Sequence, residues 1–232
     1  MLLCVILTAL GAAALAWYLA EKVRRYTLRG VMRKALVSVL FIAVAVCAAY
    51  SSGGGRLAPC VILGLVLGLL GDVWLDLKYV YPEQDVAFTY AGFVSFALGH
   101  ALFIAGMLLQ YGAPPLWTLA PLTAAVVVSL GNAVLEKPMK LDYGRYRTIV
   151  IVYGALLFAT TLVALSLSIL RGWSERSLTL LLVGGVLFAI SDLILSGTYF
   201  GQGKERPVDL LLNYLFYYAA QFVIAWSLLF VK

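Results

Sequence analysis

The chain has 232 residues, of which 63% are hydrophobic and only 12% charged, with a mean hydropathy of +0.99. Soluble domains are about 45–50% apolar and about 25% charged, so a water-soluble enzyme, a nucleic-acid reader and a disordered tail are all excluded, and the solvent is a bilayer. The formal charge of +6 is informative through its distribution, because membrane proteins collect Lys and Arg on cytoplasmic loops.

A crossing helix needs about 20 apolar residues, and eight runs qualify. The first, 2–20, lacks a basic leader and a small-residue cleavage site, and reads as a span rather than a removed signal peptide. A basic segment follows with Arg24, Arg25, Arg29, Arg33 and Lys34, most simply a topology signal. The second run, 35–50, is short and is expected to begin inside that segment, with Arg33 and Lys34 snorkelling. After Ser51-Ser52-Gly53-Gly54-Gly55 comes the third, 57–79, then Tyr81-Pro82-Glu83-Gln84-Asp85 and the fourth, 88–110. Beyond Ala113-Pro114-Pro115 lie runs 115–135, 148–170 and 177–199; Gly201-Gln202-Gly203 precedes the last, 208–231. No connection can hold a soluble domain, so residues 1–232 form a single all-α, polytopic membrane domain. The three cysteines (Cys4, Cys47, Cys60) form neither a disulfide framework nor a metal motif and read as small apolar residues. Thirteen of the 17 Lys and Arg residues fall on the connections after the odd-numbered spans, which predicts that side to be cytoplasmic and both termini to lie on the other side.

The halves, about 1–112 and 113–232, resemble each other at an offset of about 120. Asp72, Asp76 and Tyr79 of the third run correspond to Asp192, Ser196 and Tyr199 of the seventh, and His100 of the fourth to Gln221 of the eighth. Four spans per half predict two parallel four-helix repeats related by an axis along the membrane normal.

Ionisable residues inside spans are expensive and usually face a cavity or a bundle interior. Asp72, Asp76 and Tyr79 share a helix face, as do Asp192, Ser196 and Tyr199; Asn213, Tyr217 and Gln221 stack at i, i+4, i+8, and Phe93, Phe96 and His100 line up in the fourth run. Asp72 and Asp192 sit at matching depth, so four helices can aim polar groups at one region. Plainer roles stay open. Each Asp can cap or glue a neighbouring helix, His100 can be a satisfied core residue, Gln221 can be helix–helix glue, and Asp76 can be merely solvated near the interface. Gly64, Gly68, Gly71, Gly184 and Gly185 suit close helix packing.

Two buried carboxylates and an imidazole suit acid/base chemistry: one carboxyl holds a proton while another activates water or steadies a cation. Glycoside cleavage uses such a pair around an oxocarbenium-like transition state, and a vinyl ether poses a related problem. A proton-coupled transporter or flippase would use the same residue types, and a scaffold would use them only to hold helices together. No P-loop, HExxH or nucleophile elbow is present, and a single His beside two Asp is a poor metal set. The expectation is therefore no cofactor, no nucleic-acid partner, and membrane lipids as surroundings.

Four segments, taken in order, resemble the YhhN-like / TMEM86 membrane proteins, the lysoplasmalogenases. They are Gly71-Asp72; the stretch Phe88-Thr89-Tyr90-Ala91-Gly92-Phe93 continuing to Gly99-His100; Gly185-Val186-Leu187-Phe188-Ala189-Ile190-Ser191-Asp192; and Tyr217-Tyr218-Ala219-Ala220-Gln221. The chain departs from that pattern where Ala35 follows Lys34 and where Phe103 stands three residues after His100. The resemblance implies hydrolysis of the vinyl ether of a lysophospholipid, releasing a fatty aldehyde and glycerophosphoethanolamine or glycerophosphocholine. It makes Asp72 and Asp192 the acid/base candidates, with His100 and Gln221 as orienting or water-binding partners and Tyr217 and Tyr218 as pocket lining. Asp76 and Asn213 are further candidates for substrate contact, and Lys34, Lys137, Lys140, Arg145 and Arg147 would supply positive charge for the headgroup.

Overall fold

The computed structural model describes residues 1–22, 27–201 and 206–231, with the side chains of residues 21 and 22 excepted; Arg24, Arg25, Gln202 and Gly203, named above, lie outside the described residues. Its eight long helices are α1 (Leu2–Lys22), α2 (Leu28–Ser52), α3 (Leu57–Val80), α4 (Asp85–Tyr111), α5 (Pro115–Val134), α6 (Arg147–Leu170), α7 (Arg176–Phe200) and α8 (Pro207–Ser227). All eight are long and apolar enough to cross a membrane, and the fold is 88% helical, with no strand among the described residues.

Local signals account for the boundaries. Thr27 is extended and its hydroxyl accepts the Gly30 N–H at 3.1 Å, so α2 starts at Leu28, about two turns before its apolar run. Gly53 ends α2 with φ 81°, the left-handed conformation that glycine adopts without a Cβ clash. Pro115 and Pro207 open α5 and α8, where no N–H is needed. Between α5 and α6, the Asp142 N–H donates to the Phe200 carbonyl at 2.8 Å and ties this connection to the end of α7.

The start of α2 inside the basic segment is as expected, but the way the helix is turned overturns the expected snorkelling of Lys34. Lys34 does not snorkel: it is 5% exposed and turns into the bundle. Arg33, one residue earlier, lies over the Trp17 ring at 4.1 Å.

Packing follows the repeat. In the first half α1 packs on α2, α2 on α3, α3 on α4, and α4 crosses to α6; in the second α5 packs on α6, α6 on α7, α7 on α8, and α8 crosses to α2. Helices α2, α3, α4, α6, α7 and α8 therefore close a six-membered ring, with α1 and α5 as outer buttresses. Small residues set the tightest contacts. A Cβ on Gly99 of α4 would stand 3.0 Å from the Gly64 carbonyl of α3, and one on Gly184 of α7 would stand 3.3 Å from the Ala220 carbonyl of α8. Outward positions such as Leu36, Val39, Leu63, Leu98, Val127 and Val186 are exposed and apolar, as a lipid-facing surface requires.

Candidate functional site

The ring encloses a hollow of about 490 Å³, counting its mouth, and every ring helix contributes to its wall. Lys34 comes from α2, Asp72 from α3, Phe93 and Phe96 from α4, Tyr153 from α6, Ser191 and Asp192 from α7, and Asn213 and Tyr217 from α8. Asp72 and Asp192, 120 residues apart in sequence, thus face one space.

Their surroundings differ. Asp72 is 2% exposed. One carboxylate oxygen accepts from Ser38 Oγ at 2.7 Å and from the Tyr217 hydroxyl at 2.8 Å, and the other lies 3.3 Å from Lys34 Nζ. The Tyr217 hydroxyl in turn accepts from Gln221 Nε2 at 2.8 Å. Lys34 also lies 3.3 Å from Asp76 Oδ1, and Asp76 Oδ2 accepts from the Tyr18 hydroxyl at 2.9 Å. One ammonium therefore holds two carboxylates, and four helices, α1, α2, α3 and α8, are joined by charge-assisted hydrogen bonds. Burying such a set is tolerable only when every charge has a partner. Asp76, a candidate for substrate contact that could also have been merely solvated, is 4% exposed, is held by Lys34 and Tyr18, and is not among the residues lining the central hollow.

Asp192 is only partly covered. Its described hydrogen-bond partner is the Tyr153 hydroxyl of α6, and no cation among the described residues stands within ion-pair distance of it. Asp192 also borders a second, side hollow of about 740 Å³ between α5, α6 and α7. Ala133, Val150, Leu157, Phe158, Ala189 and Leu193 make that lining largely apolar. Phe93, Tyr153, Asp192 and Leu195 line both hollows and form the partition between them.

Not every expected residue reaches the central hollow. His100 is 1% exposed and stands one layer back: its Nδ1 lies 3.0 Å from Thr160 Oγ1, and its ring packs at 4.7 Å on Phe188 and 5.8 Å on Tyr153. Its Nε2 has no hydrogen-bond partner among the described residues. Gln221 acts on the hollow through Tyr217, and Tyr218 packs behind Tyr217 with ring centroids 4.9 Å apart. Asn213 does line the hollow, but its amide nitrogen is committed to Ser191 O and Oγ, both at 2.9 Å, which clasps α7 to α8. Lys34 lies inside the bundle rather than among the loop charges, and Arg147 lies 3.3 Å from Glu136.

Among the contributors that escaped the sequence reading are Ser38, Tyr18, Tyr153, Thr160 and Tyr214. Ser38 had a legible signal, since it follows Lys34 by one turn on the same face. Tyr153 and Thr160 lie seven residues apart on one face of α6, but neutral hydroxyls in an apolar run do not stand out. Among the described residues no group of three or more His, Cys, Asp and Glu is arranged to hold a metal ion.

No curated protein and no solved structure matches the chain significantly. A family model does, over residues 29–228, which takes in seven of the eight helices and every residue lining the central hollow. On that match the chain belongs to the YhhN family.

Proposed function

We propose that this protein is a membrane lysoplasmalogenase, cleaving the vinyl ether of a single-chain lipid by paired aspartate acid/base chemistry. The observation that carries the reading is the shared hollow: two carboxyl groups with unlike partners face one space inside an apolar bundle. Family membership supports it, and the apolar side hollow beside Asp192 suits the hydrocarbon chain.

The roles divide by neighbourhood. Asp72, beside Lys34 and two hydroxyl donors, has the setting of an ionised carboxylate. Asp192, with no cation near and an apolar hollow at its flank, has the setting of a carboxyl that carries its own proton. In the first step Asp192 gives that proton to the β-carbon of the vinyl ether, and the adjacent carbon becomes an oxocarbenium centre. Asp72 takes a proton from water as its oxygen bonds to that carbon, giving a hemiacetal. Asp192, now ionised, removes the hemiacetal hydroxyl proton while Asp72 returns its proton to the glycerol oxygen. The C–O bond breaks, aldehyde and glycerophospho-alcohol leave, and both aspartates regain their starting states. Tyr217 and Tyr153 orient the two carboxyl groups, and Lys34 offsets the charge of Asp72 and Asp76.

The test is mass spectrometry of lipid incubated with purified protein. Lysoplasmalogen should yield aldehyde while its saturated-ether analogue stays intact, since without the double bond no carbon can accept the proton. Unchanged lysoplasmalogen, or its movement across sealed vesicles without cleavage, would overturn the reading.

A further inference from the structure

Where α3 ends and α4 and α6 begin, a third hollow of about 620 Å³, counting its wide mouth, opens next to the other two. It shares Tyr143 and Phe200 with the apolar side hollow and Tyr199 with the central one. Its wall combines two cations, two carboxylates and a set of rings: Lys78 and Arg145, Asp85 and Asp142, with Tyr143, Tyr146, Tyr199 and Phe200 around them. Neither the vinyl ether chemistry nor helix packing requires this mixture.

Much of the charge here remains available. Arg145 is exposed and has no ion pair among the described residues; its backbone carbonyl accepts from the Tyr90 hydroxyl at 2.8 Å, which anchors the backbone there. One Asp142 carboxylate oxygen accepts the Gly144 N–H at 3.0 Å, which holds the exposed carboxylate in place. Lys78 lies 3.9 Å from Asp85 and only 3.8 Å above the Tyr199 ring, so this ammonium is held at the hollow by an aromatic face. A guanidinium and an ammonium together match a phosphodiester. Carboxylates beside aromatic faces match an ammonium, whether primary or methylated.

Spacing links the hollows. Tyr199 is seven residues beyond Asp192 on α7, about 10 Å along the axis at 1.5 Å per residue, comparable to an extended glycerophosphate arm. A ligand with its phosphate among Lys78, Tyr199 and Arg145 would set its vinyl ether near Asp192, with its chain continuing into the side hollow.

The geometry points to the Lys78–Asp85–Asp142–Arg145 hollow as a subsite for a zwitterionic phosphodiester headgroup, its cations holding the phosphate and its carboxylates and rings holding the amine. The inference rests on the proposed function for its view of the tail and the reacting bond, but the charge pattern stands without it. The same chemistry is found in a lysolipid headgroup and in free glycerophosphocholine.

The experiment measures binding, not turnover. Detergent-solubilised Asp192→Asn protein is titrated with a fluorescent saturated-ether lysophosphocholine, with and without Arg145→Gln or Asp142→Asn; both added changes are on exposed side chains. Arg145→Gln should weaken the probe about tenfold, the scale of a charge-assisted hydrogen bond, and leave a phosphate-free alkylglycerol unaffected. Asp142→Asn should weaken the probe yet spare the alkyl glycerophosphate that lacks an amine. Displacement of the probe by glycerophosphocholine alone would assign the subsite to the soluble headgroup, and displacement only by tailed competitors would assign it to the lipid. Equal loss for every ligand, or no loss for any, overturns the subsite. Intact probe binding by a wild-type protein that releases no aldehyde would instead count against the enzymatic reading and leave the subsite standing.

Discussion

Asp72 and Asp192 occupy equivalent places in two halves whose helices pack in the same order, yet their environments have diverged. Around Asp72, Lys34, Asp76, Ser38 and Tyr18 of the first half and Tyr217 of the second form a closed electrostatic knot. Around Asp192 the second half has one tyrosine, a partly open face and an apolar hollow. The lesson is that a duplicated scaffold fixes where a carboxyl group stands, while its neighbours decide what it can do. A symmetric pair of identical carboxylates at close quarters would share one proton; unlike surroundings separate donor from acceptor.

The comparison breaks most sharply if either aspartate is dispensable. Asp72→Asn and Asp192→Asn should each lower aldehyde release by about 10²–10⁴-fold, the usual worth of a positioned acid or base, with helical content by circular dichroism unchanged. Full activity in either variant would remove the division of labour.

Next comes Lys34→Met, which leaves two buried carboxylates without their counter-charge. Breaking a buried pair from one side costs about 3–5 kcal/mol, so thermal unfolding should move down strongly. Adding Asp76→Asn should restore part of the loss. A variant as stable as the wild type would show that the knot does not hold α1, α2 and α3 together.

A smaller effect is expected from Tyr153→Phe, which removes the described hydrogen-bond partner of Asp192. Asp192 becomes a carboxylate as it gives up its proton, and losing a hydrogen bond to a charged group is worth about 1.5–3 kcal/mol, so the rate should fall about 10–100-fold. Binding of the saturated-ether analogue should stay the same. Equal loss of binding would mean that Tyr153 shapes the hollow rather than orients the acid.

The smallest effect on rate belongs to His100→Asn. Because His100 meets the hollow only through Tyr153 and Phe188, the rate should change by less than about threefold, while stability falls by about 1–3 kcal/mol through lost buried contacts. A hundredfold drop in rate at unchanged stability would return His100 to the reacting groups.

The bundle was largely legible in the sequence because its signals are large. Apolar runs separated by Pro, Gly and charge specify eight crossings, and the correspondence of Asp72 with Asp192 reports the repeat at the rare polar positions. What stayed hidden depended on helix rotation. The start of α2 inside the basic segment was legible, but not that the helix begun at the Thr27 cap turns Lys34 into the bundle. Spacing placed His100 on the face shared with Phe93 and Phe96, but periodicity cannot say that Tyr153 and Phe188 intervene before the hollow. The Tyr153 partnership crosses from α6 to α7, and no one-dimensional pattern marks which helices close the ring.

The central claim is that Asp192 delivers a proton to a vinyl carbon while Asp72 activates water, and isotopic labelling tests it most directly. Purified protein is given lysoplasmalogen in D₂O and the released aldehyde is trapped at once by reduction. The account predicts one deuterium on the carbon next to the former carbonyl, and a glycerophospho-alcohol that keeps its original oxygen when the water carries ¹⁸O. Aldehyde without that deuterium, or ¹⁸O in the glycerophospho-alcohol, would contradict it.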